Sequence, residues 1–163
     1  MPVRAYVALG ANLGDPVATV RAALQALHGI AGTHFRAASS LYRTAPVGLH
    51  HQPDFINAVA ALDIDAAVLP APTFLARLFD IEAAFGRVRS VRNAPRTLDL
   101  DLLLYGDEQC ATDGLELPHP RLHERAFVLV PLAEIAPDLA IPGRGPVGAL
   151  LPDVAGQAIA RLT

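Results

Sequence analysis

Two aspartates interrupt the most strand-like apolar run of the chain, the segment "RNAPRTLDLDLLLYG" that ends at Gly106. Successive side chains of a strand point to opposite faces, so Asp99 and Asp101 share one face while Leu98, Leu100, Leu102 and Leu104 are expected to share the other. Aspartate is depleted in strands, and these two carboxylates would stand about 7 Å apart at their Cβ atoms. The aspartate face turns apolar at Leu103 and Tyr105, which places the pair where the strand enters the core. Like charges that close resist burial unless something cationic lies between them.

The rest of the chain supplies partners for that strand. "VRAYVALG" reads as a first strand over 3–10, and "ANLGDPVATVRAALQALHGI" as a turn, an N-cap at Asp15, Pro16 at the first helical position and an amphipathic helix. "THFRAASSLYRT" and "PDFINAVAALDID" read as two further strands, with the loop "APVGLHHQ" between them. "APTFLARLFDIEAAFG" is a helix with Phe74, Leu75, Leu78, Phe79 and Ile81 as its apolar positions, Glu82 in its last turn and Gly86 as its stop. After the aspartate strand come a hairpin turn at "YGDEQ", an irregular stretch, a helix over "FVLVPLAEIAP" despite Pro131, and a turn-rich tail with one short helix. The order strand, helix, strand, strand, helix, strand predicts an α+β fold, a mainly antiparallel plait rather than a doubly wound parallel sheet. At 163 residues, a single domain over 1–163 is expected.

Composition narrows the chemistry. With 18% charged residues and a formal net charge of -3, nothing favours wholesale nucleic-acid binding, so function must sit in a local site. Cys110 is the only cysteine, which rules out an intrachain disulfide and a thiolate cluster and fits a reducing compartment. The N-terminal apolar run is too short for a signal peptide and no stretch approaches membrane-spanning length, so a cytoplasmic location is expected. All 13 basic residues are arginines, and without lysine neither a phosphate-loop lysine nor a Schiff base is available.

An Asp-x-Asp pair on a solvated edge strand needs no ligand; what favours a site is its company. Arg87, Arg89, Arg92 and Arg96 precede the pair in a segment too polar for a core element. Paired carboxylates suit Mg²⁺, a hard cation that takes one or two protein carboxylates and completes its shell with water and phosphate oxygens, while nearby arginines bind the remaining oxygens. "GANLGD" is better explained as a turn and helix cap than as a phosphate loop, because the Gly-Lys-Ser/Thr ending is missing. His119 and His123 do not read as a zinc pair: Pro120 breaks any shared helix, and no glutamate follows His119. His119 and Arg125 are candidate polar contacts to a ligand. Phe55 and Asn57 share a strand face, and an aromatic beside an amide suits a flat, nitrogen-rich ring.

The segments "YVALGANLGD", "SSLYRTAPVG", "QPDFINAVAAL", "IEAAFGRVR", "APRTLDLDLLLYG" and "LPHPRLHERAFVLVPLAEIAP" together resemble the 6-hydroxymethyl-7,8-dihydropterin pyrophosphokinases of folate biosynthesis. The resemblance spans most of the chain and leaves out the tail. It implies a ferredoxin-like α/β plait that transfers the terminal diphosphate of ATP to the hydroxymethyl group of a reduced pterin, giving AMP and the pterin diphosphate. It also implies two Mg²⁺ ions held by Asp99 and Asp101, and Arg87 and Arg96 on the triphosphate. Glu82, Leu102, His119 and Arg125 would lie at the nucleotide. Thr44, Val47, Phe55, Asn57 and Phe127 would line the pterin pocket, the two phenylalanines sandwiching the ring. Small-molecule substrates, a monomer, and neither nucleic acid nor membrane as partner are expected. Many relatives carry a tryptophan in the basic loop, and this chain has none.

Two other classes fit parts of the pattern. Another Mg-dependent Asp-x-Asp nucleotidyl or glycosyl transferase would have no need of the Phe55, Asn57 and Phe127 pocket. A non-catalytic nucleotide- or RNA-binding plait would interleave aromatic and basic residues on its central strands, where this chain has aspartates.

Overall fold

Strand β1 (Val3–Ala11) is buried on both faces over most of its length, as its alternation of alanine with larger apolar residues requires of a central strand. In the computed structural model, which describes residues 2–45, 53–86, 98–112 and 114–162, helix α1 (Pro16–His28) follows β1. Asp15 caps α1 by accepting a hydrogen bond from the Ala18 amide at 3.1 Å, and Pro16 fills the first turn, as expected from the sequence. Strands β2 (Thr33–Ala38), β3 (Tyr42–Thr44) and β4 (Phe55–Ile64), helix α2 (Ala71–Ala84) and strand β5 (Asp99–Tyr105) complete the plait. β4 and β5 pair antiparallel with the two edges of β1, giving the order β3-β4-β1-β5, which the last strand, β10 (Ile159–Arg161), extends beyond β3, with β2 also on β4.

Alternation sends the two halves of each strand to different layers. Ala5, Val7 and Leu9 of β1 and Ile56, Ala58, Ala60 and Leu62 of β4 pack against Val20, Ala23 and Leu27 of α1 and Phe74 and Leu78 of α2. Tyr6, Ala8, Val59 and Ala61 face the opposite layer, built by helix α3 (Ala126–Ile135) through Ala126, Val128, Leu129 and Leu132. Pro131 is accommodated inside α3, as the sequence predicts. No helix among the described residues is long and apolar enough to cross a membrane.

Four local readings are corrected. The stretch read as one strand over 33–44 is two, because Ser39 substitutes its side chain for a ladder partner: its amide donates to the Val59 carbonyl, and its Oγ accepts from the Val59 amide at 2.9 Å. The strict alternation expected along β5 is broken by a bulge, with Val7 opposite Leu102 and Tyr6 opposite Leu104. Leu104 therefore joins the aspartate face and Tyr105 the other, where its hydroxyl donates to the Leu69 carbonyl at 2.7 Å. The turn after β5 does not fold back on β5; Gly106, at φ 56, bonds to Arg4, and the hairpin forms later between β6 (Cys110–Thr112) and β7 (Leu115–Leu117). Finally, the tail adds strands β8 (Ala140–Ile141) and β9 (Gly145–Pro146), helix α4 (Val147–Leu150) and strand β10 (Ile159–Arg161), which extends the main sheet beside β3.

A polar knot ties this layer to the sheet. Glu134 of α3 accepts from the Ser40 amide and hydroxyl and from the Tyr42 hydroxyl at 2.6 Å, with Arg161 of β10 at 3.7 Å. Burial alone would raise the Glu134 pKa, but these donors together hold it below the ordinary carboxylate range, while burial and the same bond push the Tyr42 hydroxyl up to about 12. Replacing Ser39 by alanine leaves the buried Val59 amide without its acceptor; urea unfolding is expected to show a loss of about 1–3 kcal/mol, and a change inside 0.5 kcal/mol would disprove the role assigned to the hydroxyl.

Candidate active site

Along β1, the positions facing α3 become smaller toward its end: Tyr6, then Ala8, then Gly10. Gly10 stands opposite Asn57 of β4 on one side and Asp99 of β5 on the other, and Ala8 stands between Val59 and Asp101. A Cβ on Gly10 would come within 3.2 Å of the Asn57 Oδ1, a tight approach that the missing side chain avoids. The result is a cavity of about 1090 Å³ floored by Ala8 and Gly10.

Its walls gather most of the residues that the sequence singled out. On one side are Thr44, Phe55 and Asn57, and Asn57 donates through Nδ2 to the Thr44 Oγ1 at 2.8 Å. That bond occupies one side of the amide and orients it. Across the floor are Asp99 and Asp101, both half-buried. The third wall comes from the segment before α3 and from its first turn: His119, Arg121, Arg125 and Phe127. The Arg125 guanidinium lies over the Phe127 ring at 5.4 Å from its centroid, a cation–π arrangement that holds the charge at the cavity edge.

The side chains of Leu102 and Glu82 do not line the described cavity. Leu102 is buried in the layer under α1 and α2, so its side chain does not reach the cavity. Glu82 is almost fully buried on α2, and its Oε2 accepts from the Leu100 amide at 2.8 Å. β5 is an edge strand, and this carboxylate satisfies an outward amide between the two aspartates. Val47, Arg87 and Arg96, with Arg89 and Arg92, lie outside the described residues.

Among the described residues, no three His, Cys, Asp or Glu side chains converge closely enough to enclose a metal. Two carboxylates on a rigid strand, lining the cavity beside Ala8 and Gly10, are instead the donor set of a hard cation that keeps water and substrate oxygens in its shell. The residues present therefore fit Mg²⁺.

His119 is held near the aspartates by its own backbone, the amide donating to the Leu103 carbonyl at 2.9 Å. Its Nδ1 accepts from the Arg121 amide at 3.3 Å, an arrangement that requires the ring nitrogen to be unprotonated. Burial lowers the His119 pKa below its ordinary value; Asp101 opposes the shift and Arg125 adds to it. The unfolded chain thus binds a proton that the folded one releases, so this histidine's contribution is fully present above the ordinary imidazole pKa of about 6.5 and is lost as pH falls through the folded value. In the metal-free protein, an NMR titration should show the His119 ring with a midpoint below that of a free imidazole. A midpoint at or above it would contradict the burial argument.

Comparison with known proteins gives a family. The family of 7,8-dihydro-6-hydroxymethylpterin-pyrophosphokinase (HPPK) matches residues 6–137. The 2-amino-4-hydroxy-6-hydroxymethyldihydropteridine pyrophosphokinase of Haemophilus influenzae is 46% identical over 140 residues, covering 86% of each chain. The enzyme of the same name from Pseudomonas aeruginosa is 48% identical over 139 residues, covering 85% of this chain and 84% of its own. Among solved structures, wild-type Plasmodium falciparum HPPK-DHPS superposes with a TM-score of 0.70 at 12% identity, over 92% of this chain and 40% of that longer one. At that identity the superposition speaks for the fold alone: the antiparallel α+β plait predicted from the order of elements, ferredoxin-like as the resemblance implied. On the length of the family match and the identity to these relatives, the chain belongs to the 7,8-dihydro-6-hydroxymethylpterin-pyrophosphokinase family.

Proposed function

We propose that this chain transfers the terminal diphosphate of ATP to 6-hydroxymethyl-7,8-dihydropterin, on the face of the sheet that Gly10 leaves open. The observation that carries this reading is the row across three strands: an amide at Asn57, no side chain at Gly10 and a carboxylate at Asp99. Such a row seats a flat polar ring on one side of the floor and a metal-bound polyphosphate on the other. Family membership and relatives at 46–48% identity support the same reaction.

The roles follow from the side chains. Phe55 and Phe127 bound the pterin ring, and Asn57, oriented by Thr44, reads its donor and acceptor edge. The hydroxymethyl oxygen attacks the β-phosphorus of ATP, the bond from that phosphorus to the α,β-bridging oxygen breaks, AMP leaves, and the hydroxyl proton is released. Two Mg²⁺ ions held by Asp99 and Asp101 would neutralise the phosphate oxygens and align the reacting groups. His119 and Arg125 bound the nucleotide side, and Arg87 and Arg96 are assigned to the triphosphate on their family positions alone. No side chain need act as a nucleophile, since transfer of this kind asks for positioning and charge neutralisation. A monomer and a cytoplasmic location, which the lone Cys110 suits, belong to the same reading.

Incubation of the protein with Mg²⁺, ATP and the pterin, followed by mass analysis, should yield AMP and pterin diphosphate in equal amounts. ADP with a pterin monophosphate, or no product, would refute the reading. Asp99→Asn and Asp101→Asn should each lower kcat by about 100-fold or more while the protein stays folded. Asn57→Ala should weaken pterin binding by about 1–3 kcal/mol and leave ATP affinity unchanged; equal losses for both ligands in calorimetry would overturn the division of the cavity.

A further inference from the structure

The tail after residue 137 lies beyond the family match, yet Gln157 and Ala158 line the cavity. Gln157 uses both ends of its amide on the chain that enters α3. Its Oε1 accepts from the Ala126 amide at 2.9 Å, and its Nε2 donates to the Glu124 carbonyl at 2.8 Å. The two backbone groups belong to the neighbours of Arg125, which is extended at φ -124 and ψ 116, the conformation that turns both to one side. A single side-chain amide thus stands in for one rung of a β-ladder. Arg125 occupies the N-cap position of α3 and supplies no side-chain cap; among the described residues it is the tail, through Gln157, that accepts from the first-turn amide of Ala126.

We infer that Gln157 is a positioning residue that holds Arg125 and Phe127 in the cavity wall. The inference rests on the diphosphate-transfer reading for what those two residues touch, and on geometry for the clamp itself. Gln157 is anchored in turn: its own amide donates to the Val154 carbonyl at 3.0 Å, and two residues on, Ile159 of β10 pairs with Thr44 of β3. The tail thereby connects the Thr44 wall, beside the Asn57 amide, to the Arg125 and Phe127 wall opposite. Freed of the clamp, Arg125 can leave the extended conformation, and the guanidinium and the ring lose their fixed relation to the floor. Both groups bind ligand and neither makes or breaks a bond, so the effect belongs in KM rather than kcat.

The test compares wild type, Gln157→Ala and Gln157→Glu in the full chain. Exchange of the Ala126 amide should quicken at least about tenfold in Gln157→Ala, with the amides of the middle of α3 unchanged. KM for the pterin and for ATP should each rise about fivefold to tenfold, with kcat inside a factor of two. Gln157→Glu, which keeps an acceptor for Ala126 but has no donor for Glu124, should fall between the two in exchange and in KM. An unchanged Ala126 exchange rate in Gln157→Ala would show that no clamp forms. Faster exchange with both KM values unchanged would show a helix cap without influence on the site and overturn the positioning role. A wild type that forms no pterin diphosphate would instead sink the transfer reading, and the exchange rates would still judge the clamp.

Discussion

Pairing of β1 along both edges is the constraint on which the rest depends. Because its backbone groups are committed to β4 and β5, the side chains of β1 from Ala5 to Leu9 divide between two buried layers. Where the side chains are of ordinary size the layers close, with α1 and α2 on one face and α3 on the other. At Ala8 and Gly10 one layer cannot close, and its opening lies between strands that carry an amide and two carboxylates. The site is thus a place where the described residues leave the sheet uncovered. Its precision comes from a rigid backbone, which suits chemistry that asks mainly for fixed positions.

What surrounds that opening is held by polar groups at the ends of elements more than by additional core. Glu134 joins the far end of α3 to Ser40, Tyr42 and β10, and Gln157 joins its near end to the tail. At the other end of the same sheet face, Asp63 binds both Arg4 and Arg36 across three strands. The hydrogen bond from Arg4, aided by Arg36, holds its carboxyl below the ordinary range against the opposing effect of burial. Glu82 does comparable work beneath β5, where it satisfies the amide of Leu100 between the two aspartates that line the cavity. Charged side chains of this kind lie outside the cavity and shape it through the backbone.

The order of the main strands and helices and the aspartate face were legible because they depend on hydrophobic periodicity and on charges set into it. Phe55 and Asn57 were legible for the same reason, their spacing of two. Periodicity cannot announce a bulge, so Leu104 and Tyr105 were expected on the wrong faces. Nor can it announce a serine that replaces a ladder partner, and β2 and β3 were read as one strand. Gln157 sits 31 residues from its partner in a turn-rich tail, where no pattern marks a glutamine as a clamp. Gly10 was visible as part of a strand followed by a turn. Its function as a floor depends on what stands opposite it in β4 and β5, which only the register supplies.

The central claim, that the uncovered end of the sheet is where both substrates meet, is tested most directly by a crystal structure with Mg²⁺, a non-hydrolysable ATP analogue and the hydroxymethylpterin. The account predicts the pterin between Phe55 and Phe127 with its polar edge on Asn57, and the metals on Asp99 and Asp101. The hydroxymethyl group should face the β-phosphorus across Gly10. A pterin or triphosphate bound away from the Gly10 floor, or metal held without either aspartate, would contradict it.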